Sequence, residues 1–479
     1  MNFLFSVSQI ALIAGLALTL AACEVGPDYQ TPETSAPVDW TADETHDPKA
    51  EIDQQWWKNF NDPILTQLID KAAADNFDLK IAEARIAQAR AGVSSSVAGL
   101  LPSGDVKGTA TREGNQIAFP DSAASPFGSL LKKPFNIFET GFDASWELDL
   151  FGGNRRAEES AEAQLQASEA SRDDVRVSLM AEVARDYVAA RSAQAQLSMA
   201  GDIVASRQKT LEITQQRFKV GQAPHLDVTQ AEAALAEVET QIPALRDQIA
   251  QNEYSLDVLL GEQPGYAQKI LKQAAPIPTS DKKLALAAPA SVIAQRPDLR
   301  MAERALAAAT AQQGVAVAQF FPKLSLSGFF GALNTSADDL LKGDSKSWMA
   351  GGSVIWPILS YGTLSANLDA ADAQQQEALA SYQKTVLTAL ADVERSLSAY
   401  QEQEKTLYLT ESQVDKNKRA SAVAEERFKQ GATSRLEALD AERTLYTTQK
   451  NLLQAQASAS QNLIALYKSL GGGWKKAAD

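Results

Sequence analysis

Hydrophobic positions along this chain follow two different periods. Phe142, Ala144, Trp146, Leu148 and Leu150 alternate with Asp143, Ser145, Glu147 and Asp149. Leu324, Leu326, Gly328 and Phe330 alternate with Lys323, Ser325, Ser327 and Phe329. A period of two predicts strands with one apolar and one polar face. The alternation is weaker over 350–358, and over 102–112 it rests on Val106, Gly108 and Ala110. Turn-rich stretches at 113–139 and 332–347 separate the paired strands, which predicts two long-looped hairpins, 102–150 and 322–360. Ahead of each hairpin runs a segment rich in Ala, Gln and Glu (64–100 and 297–321), residues that favour helix. Pro102 and Pro322 stop these segments. Behind each hairpin no proline occurs over 153–218 or 362–428. The first of these segments holds 66 residues, which as helix would extend roughly 100 Å, more than one ordinary core can hold. Its apolar residues Val175, Val177, Leu179, Met180, Val183, Ala184, Tyr187 and Val188 cover more than one face, as in a coiled-coil wall. Gly221 and Gly431 read as helix-ending glycines. Return helices follow at 226–260 and 436–470, and Pro243 predicts a kink in the first.

This order of elements occurs twice because the chain is duplicated. Asp78-Leu79-Lys80-Ile81-Ala82-Glu83 recurs 220 positions later as Asp298-Leu299-Arg300-Met301-Ala302-Glu303. Leu101-Pro102 recurs at the same offset as Phe321-Pro322. Further on, the offset is 210: Trp146 matches Trp356, and Phe151-Gly152 matches Tyr361-Gly362. Ala181-Glu182-Val183-Ala184-Arg185 likewise matches Ala391-Asp392-Val393-Glu394-Arg395. Arg217-Phe218-Lys219-x-Gly221 matches Arg427-Phe428-Lys429-x-Gly431. The change of offset falls between Pro102 and Trp146, so one copy has the longer hairpin loop.

Composition narrows the function. The 479 residues carry a formal net charge of −15, which argues against a nucleic-acid binder. One cysteine excludes an internal disulfide or a thiolate metal cluster, and His46 and His225 have no ligand-like spacing, so no metal site is expected. A mean hydropathy of −0.23 and the lack of an 18-residue apolar run exclude a polytopic helical membrane protein. A transmembrane β-barrel survives that test, because its strands are short and alternate. Residues 10–22 form an apolar stretch of signal-peptide length. It ends at Leu20-Ala21-Ala22-Cys23, which resembles a bacterial lipobox with Cys23 as the acylated first mature residue. The stretch Met1–Gln9 lacks the usual Lys or Arg.

Two hairpins supply only four strands. A spanning barrel must leave no backbone edge in lipid, and bacterial barrels have at least eight strands. One chain therefore cannot close a barrel, whereas three copies lending four strands each make twelve. Their helices would continue the wall as a hollow cylinder. The polar strand face would line the bore, where Asp143, Glu147 and Asp149 predict an acidic lumen. Trp146, Trp348 and Trp356 favour a lipid-facing apolar side. A small soluble sheet is the alternative.

Four signatures add a resemblance. They are Cys23 with Gly26-Pro27-Asp28-Tyr29-x-x-Pro32; Trp56-Trp57-x-x-Phe60-x-Asp62-Pro63-x-Leu65; Arg296-Pro297-Asp298-Leu299-Arg300-x-Ala302-Glu303; and Phe320-Phe321-Pro322-x-Leu324-Ser325-Leu326-Ser327-Gly328. In order and spacing they resemble the TolC family of outer-membrane channels, and most closely its NodT/OprM-type lipoprotein branch of tripartite efflux pumps. The resemblance implies a mainly α chain in two internal repeats, with a transmembrane β-barrel portion. Four strands per chain would complete a twelve-stranded barrel in a homotrimer, joined to a long coiled-coil α-helical periplasmic barrel. It implies a signal peptide 1–22, a lipid-anchored segment 23–62, a first repeat 63–262, an equatorial connector 263–295, a second repeat 296–470 and a tail 471–479. A periplasmic adaptor and an inner-membrane transporter of the resistance-nodulation-division type are the implied partners. The implied location is the outer membrane of a Gram-negative bacterium, with no cofactor beyond the lipid on Cys23.

By spacing from Gly431, Glu437 and Asp440 match the family's two acidic gate positions, and converging carboxylates raise one another's pKa and attract cations. A solvated helix face is the alternative for both. Asp227 matches a position used in tip contacts between helices, and Arg435 and Phe428 stand beside the gate. Phe428 occupies a place where the family often has tyrosine. The turns at Gly221 and Gly431, with Arg217 and Arg427, match the adaptor-docking tips; an ordinary helix end is the alternative.

No Gly-rich phosphate loop, nucleophile elbow or zinc spacing is present in the sequence, so the expectation is a passive duct rather than an enzyme. Gly343-Asp344-Ser345 is a faint match to a hydrolase serine, but no histidine follows it. The expected cargo is drugs or other small solutes. The duct of a type I protein secretion system and a lipid-anchored coiled-coil scaffold without a pore are the two alternatives.

Overall fold

A computed structural model describes residues 24–33, 37, 39–41, 52–114, 134–280 and 287–474. The signal segment, Cys23, and parts of the segment 23–62, the first hairpin loop, the connector and the tail lie outside the described residues. The helices and strands are α1 (Pro63–Asp75), α2 (Phe77–Ala98), β1 (Ser103–Glu113), β2 (Phe135–Leu148), α3 (Gly153–Lys219), α4 (His225–Glu239) and α5 (Gln241–Leu259). They continue as α6 (Tyr266–Leu271), α7 (Pro289–Gln295), α8 (Pro297–Ala318), β3 (Lys323–Asn334), β4 (Lys346–Ile355), α9 (Tyr361–Lys429) and α10 (Arg435–Ser469). Among the described residues no helix is long and apolar enough to cross a membrane. The chain forms two compact units. One draws on Met1–Pro32, Ala87–Gln166 and Glu303–Ser381, the other on Glu33–Ile86, Ala167–Ala302 and Tyr382–Asp479. Each takes segments from both halves of the duplicated sequence.

The first unit holds the sheet. Its four strands run in the order β1-β2-β3-β4, each antiparallel to its neighbour. Both hairpins therefore form, and β2 joins β3 to merge them. Register places Val106, Phe142, Phe330 and Trp348 in one row, and Trp146 opposite Leu326. Among the described residues these side chains form an exposed apolar face: Val106 is 84% exposed and Trp348 76%. The outer edges of β1 and β4 have no strand partner among the described residues. At the base of the sheet, Trp146 Nε1 donates to the Leu100 carbonyl at 2.9 Å, and its repeat equivalent Trp356 donates to Phe320 at 3.1 Å. The duplication is thus visible as the same bond made twice.

The opposite face is polar, and lysines offset part of the acidity that the alternation predicts. Lys107 lies 3.2 Å from Glu139 and 3.1 Å from Asp143, and Lys323 lies 3.6 Å from Glu147. Asp149 falls outside β2. It accepts from the Arg155 amide at 2.9 Å and pairs with the Arg155 guanidinium at 3.5 Å, so it serves the start of α3 instead. A carboxylate at a helix N-terminus meets free N–H groups and the positive end of the dipole.

The second unit is helical, and its core absorbs the tryptophan signature. Trp56, Trp57 and Phe60 are buried with Leu65, Leu68, Met180, Tyr187, Leu256 and Ile464. Trp56 stacks on Tyr467 with ring centroids 5.4 Å apart. Asp62 caps α1 by accepting from the Ile64 and Leu65 amides, and it accepts the Tyr187 hydroxyl at 2.7 Å. Arg191 donates onward to that hydroxyl at 3.1 Å and to the Gln273 carbonyl at 2.7 Å. The Arg296-Pro297-Asp298 signature is a clasp: Arg296 binds Asp298 at 2.6 Å and the Ser469 carbonyl at 2.6 Å, fastening the end of α10.

One helical segment is interrupted where the pattern reads as continuous, and another is interrupted near the kink that Pro243 predicts. The segment 64–100 breaks at Asn76, whose side chain caps α2 at Asp78 and Leu79 while donating to the Leu259 carbonyl. The first return helix breaks at Thr240, ahead of Pro243. The proline ring cannot accommodate the carbonyl four residues back, at Glu239, so the break falls upstream of the proline itself.

Candidate functional site

The candidate site lies in the helical unit, where the long helices turn. α3 ends with the Gln222 amide bonded to the Arg217 carbonyl at 2.8 Å and the Gly221 amide to Phe218 at 3.0 Å. α9 ends the same way, with Ala432 to Arg427 at 2.8 Å and Gly431 to Phe428 at 3.0 Å. These are paired Schellman bonds, and they need a left-handed residue: φ is +74° at Gly221 and +73° at Gly431. Arg217 and Arg427 therefore close the turns through their carbonyls, which leaves their side chains free for other contacts.

Phe428 is the hub of the second turn. The Arg217 guanidinium lies 5.7 Å from its ring centroid and the Arg435 guanidinium 5.0 Å, so two cations meet one ring. Arg435 also donates to Glu425 at 3.0 Å and to the Thr210 hydroxyl at 3.1 Å. It thereby ties the first residue of α10 to both α9 and α3. The first turn carries the same arrangement with a different partner: Phe218 meets His225 edge-on at 5.4 Å, and His225 is the repeat equivalent of Arg435. Asp227, half-buried in the first turn of α4, has no side-chain partner among the described residues.

The two acids matched to the gate have different surroundings. Ser434 caps α10 by accepting the Glu437 amide at 3.3 Å, and Thr433 donates its hydroxyl to the Glu437 carboxylate. Ser434 and Glu437 have the spacing of a capping box, but the Glu437 carboxylate takes the Thr433 hydroxyl, so it ties down the start of the helix through that side chain. Asp440, one turn further, is exposed and pairs with Arg443 at 3.0 Å. The structure thus brings Arg217, Phe428 and Arg435 together, holds Glu437 at the cap and places Asp440 on the open face. Glu425, Thr210 and Arg443 were not singled out in the sequence. Of these only Arg443 had a local signal, its spacing of three from Asp440.

A second feature lies in the sheet unit, immediately after Cys23. The Val25 amide donates to the Phe151 carbonyl at 3.2 Å. Gly26 lies against α8 so closely that a Cβ on it would stand 2.6 Å from Gly314 Cα, and its φ is +95°. Arg156, 4% exposed, gathers Asp28 at 2.6 Å, Glu159 at 2.8 Å and Glu24 at 3.3 Å. Tyr29 donates to Glu303, and Arg304 lies over its ring. Burial first, then the Glu303 contact, pushes the Tyr29 hydroxyl up to about 12. The Gly-Pro-Asp-Tyr signature is thus a strap that fixes the chain two residues from Cys23 at the end of β2.

A family model described as outer membrane efflux protein matches residues 68–262 and 288–472, one stretch in each repeat. The pyoverdine export outer membrane protein OpmQ of Pseudomonas putida is 32% identical over 466 residues, 96% of each chain. Nodulation protein T of Rhizobium leguminosarum bv. trifolii is 30% identical, over 96% of this chain and 97% of that one. The solved outer-membrane channel OprN is 33% identical with a TM-score of 0.86, over 94% of this chain and 100% of that one. The open-state channel MtrE of Neisseria gonorrhoeae is 29% identical with a TM-score of 0.82, over 95% and 99%.

Proposed function

The chain belongs to the outer membrane efflux protein family, and on that premise we propose that it works as a homotrimeric exit duct, each copy lending four strands to one twelve-stranded barrel. The observation that carries this reading is the sheet itself: two edges without a strand partner among the described residues and an exposed apolar face. In water such edges invite aggregation, and in lipid each open backbone group costs several kcal/mol. Pairing β4 of one copy with β1 of the next removes both edges at once. Strands of 10–14 residues are long enough to span the hydrocarbon core.

The remaining parts follow the same logic. Acylated Cys23 anchors the chain in the outer membrane, and the strap on Arg156 holds that anchor beside the sheet. The turns at Gly221 and Gly431, with Arg217 and Arg427, are the docking tips for a periplasmic adaptor, which links the duct to an energised inner-membrane transporter of the resistance-nodulation-division type. Asp440, with Glu437 nearer the cap, forms the acidic gate, since three-fold symmetry sets three copies of each around one axis. Phe428, Arg435 and Asp227 set the tip around it. The duct is passive and carries small solutes chosen by the transporter. Relatives named for pyoverdine export and for toluene efflux support a lumen with little cargo selectivity of its own.

Purified protein in a planar lipid bilayer tests the assembly. The expected result is discrete conductance from a heat-labile species of three chains. A detergent-extracted, stable monomer without conductance would overturn the barrel and the duct together.

A further inference from the structure

Arg207, on α3, is only 3% exposed, and its Nε and Nη2 atoms are buried without a hydrogen-bond partner. Among the described residues no carboxylate pairs with it. A guanidinium buried without a counter-charge is costly, so an acceptor is expected in at least one state of the protein. The two unpartnered atoms form one edge of the guanidinium, the edge that takes a carboxylate through two parallel bonds. Arg207 sits in a buried seam with Ala200 and Thr214, seven residues to either side, so the helix cannot turn it out to water. It lines a cavity of about 240 Å³ with Gln230, Glu237, Leu439, Asp440 and Arg443. Its charge is felt in that neighbourhood: burial pushes the Tyr446 hydroxyl up, Glu237 adds to the rise and Arg207 opposes it.

Two acids line this cavity, Glu237 and Asp440. Asp440 is held on the exposed side by Arg443, both partners more than half exposed, and such a pair is weak in water. We infer that the Nε–Nη2 edge of Arg207 is a carboxylate-binding site inside the tip, and that Asp440 is its occupant when the channel conducts. The inference rests on Asp440 being a gate acid. On Arg443, Asp440 shows its charge on the open face of α10. On Arg207 it withdraws into the cavity. Three such withdrawals, one per chain, clear the constriction and satisfy three buried cations. Arg207 is then a positioning residue, acting on the gate through Asp440 without touching the solute.

The duplication supports a dedicated role. The repeat equivalent of Arg207 is Asn417, whose amide donates to the Thr448 hydroxyl at 2.8 Å, and the equivalent of Asp440 is Gln230. The receptor therefore exists only in the first repeat and its acid only in the second, whereas the helix-ending turns are kept in both.

Open dwell time of the full-length trimer in planar bilayers tests this, with the trimer band on a gel as the fold control. Arg207→Gln should shorten the open dwell about tenfold, the effect of losing one charge-assisted pair. Arg207→Lys keeps the charge but loses the fork, and should recover only part of it. In an Asp440→Asn background Arg207→Gln should have no further effect. Should Arg207→Gln not assemble, Arg207→Lys carries the test alone. An unchanged dwell in an intact trimer overturns the inference, and so does loss of the Arg207 effect in Glu237→Gln but not in Asp440→Asn. The gate reading is separate: it fails if Asp440→Asn lets in no more of a normally excluded antibiotic, whatever Arg207 does.

Discussion

Charged side chains placed where water is scarce explain much of this protein. Arg156, Arg191 and Arg296 each bond to carbonyls or acids from distant parts of the chain, although Arg191 Nη2 stays buried without a hydrogen-bond partner among the described residues, and each fixes a segment that has little hydrophobic surface of its own. Asp174 is the contrasting case. It lines a cavity of about 230 Å³ with Arg296, Asp298 and Lys468, and burial, then Asp298, pushes its carboxyl above the ordinary range, while Arg296 and Lys468 oppose the rise. An acid whose folded pKa is raised binds more protons when folded than when unfolded. Its stabilising contribution is full below the unfolded pKa and is lost as pH rises through the folded one. Asp174→Asn should therefore leave the apparent thermal midpoint nearly unchanged near pH 4 and raise it near pH 8 (roughly, from ordinary carboxylate values). Equal shifts at both pH values would show that Asp174 stays ionised in the folded protein. At the tip, Phe428 has no hydroxyl to latch with. Its ring instead serves two arginines, one of which, Arg435, bonds on to Thr210 and Glu425.

Elements obey the periodicity of the chain wherever one face meets one environment. β3 and the second half of β2 were legible from their alternation, whereas the start of β2 at Phe135 lies in a stretch that reads as loop. β1 shows only Val106, Gly108 and Ala110 on its apolar face, and β4 begins at Lys346 rather than 350 because Met349 and the glycines 351–352 blur the alternation. The break at Asn76 was not legible, since its cap depends on the Leu259 carbonyl, almost two hundred residues away in sequence. The same limit hid the Arg435 latch, whose partners come from two other helices, whereas the turns themselves were announced by their glycines. Those turns offer a local test. A Cβ on Gly431 would meet nothing within 4 Å, so the backbone alone sets the cost of substitution. Gly431→Ala should cost ~1 kcal/mol in tip stability, seen as about fivefold faster amide exchange in the tip. Gly431→Asn should cost less, because asparagine tolerates the left-handed region. Equal costs for both would point to something other than φ.

At the scale of the assembled duct, the polar face of the sheet decides which ions the barrel prefers. The register sets Asp105, Glu113, Glu139, Asp143 and Glu147 on the same side as Lys107 and Lys323. Five carboxylates against two lysines leave the lining acidic, but Lys107 lies between two of those acids and mutes both. Three-fold repetition multiplies any change at this position, since each substitution alters three charges around one bore. Lys107→Gln should therefore raise the permeability of K⁺ relative to Cl⁻, and Glu139→Gln should lower it. Both shifts should be larger at low salt, where the screening length exceeds the spacing between charges. Reversal potentials across a salt gradient measure this directly. If neither substitution moves them while Val106→Arg, on the opposite face, does, then the sheet faces the other way and its apolar side chains line the path.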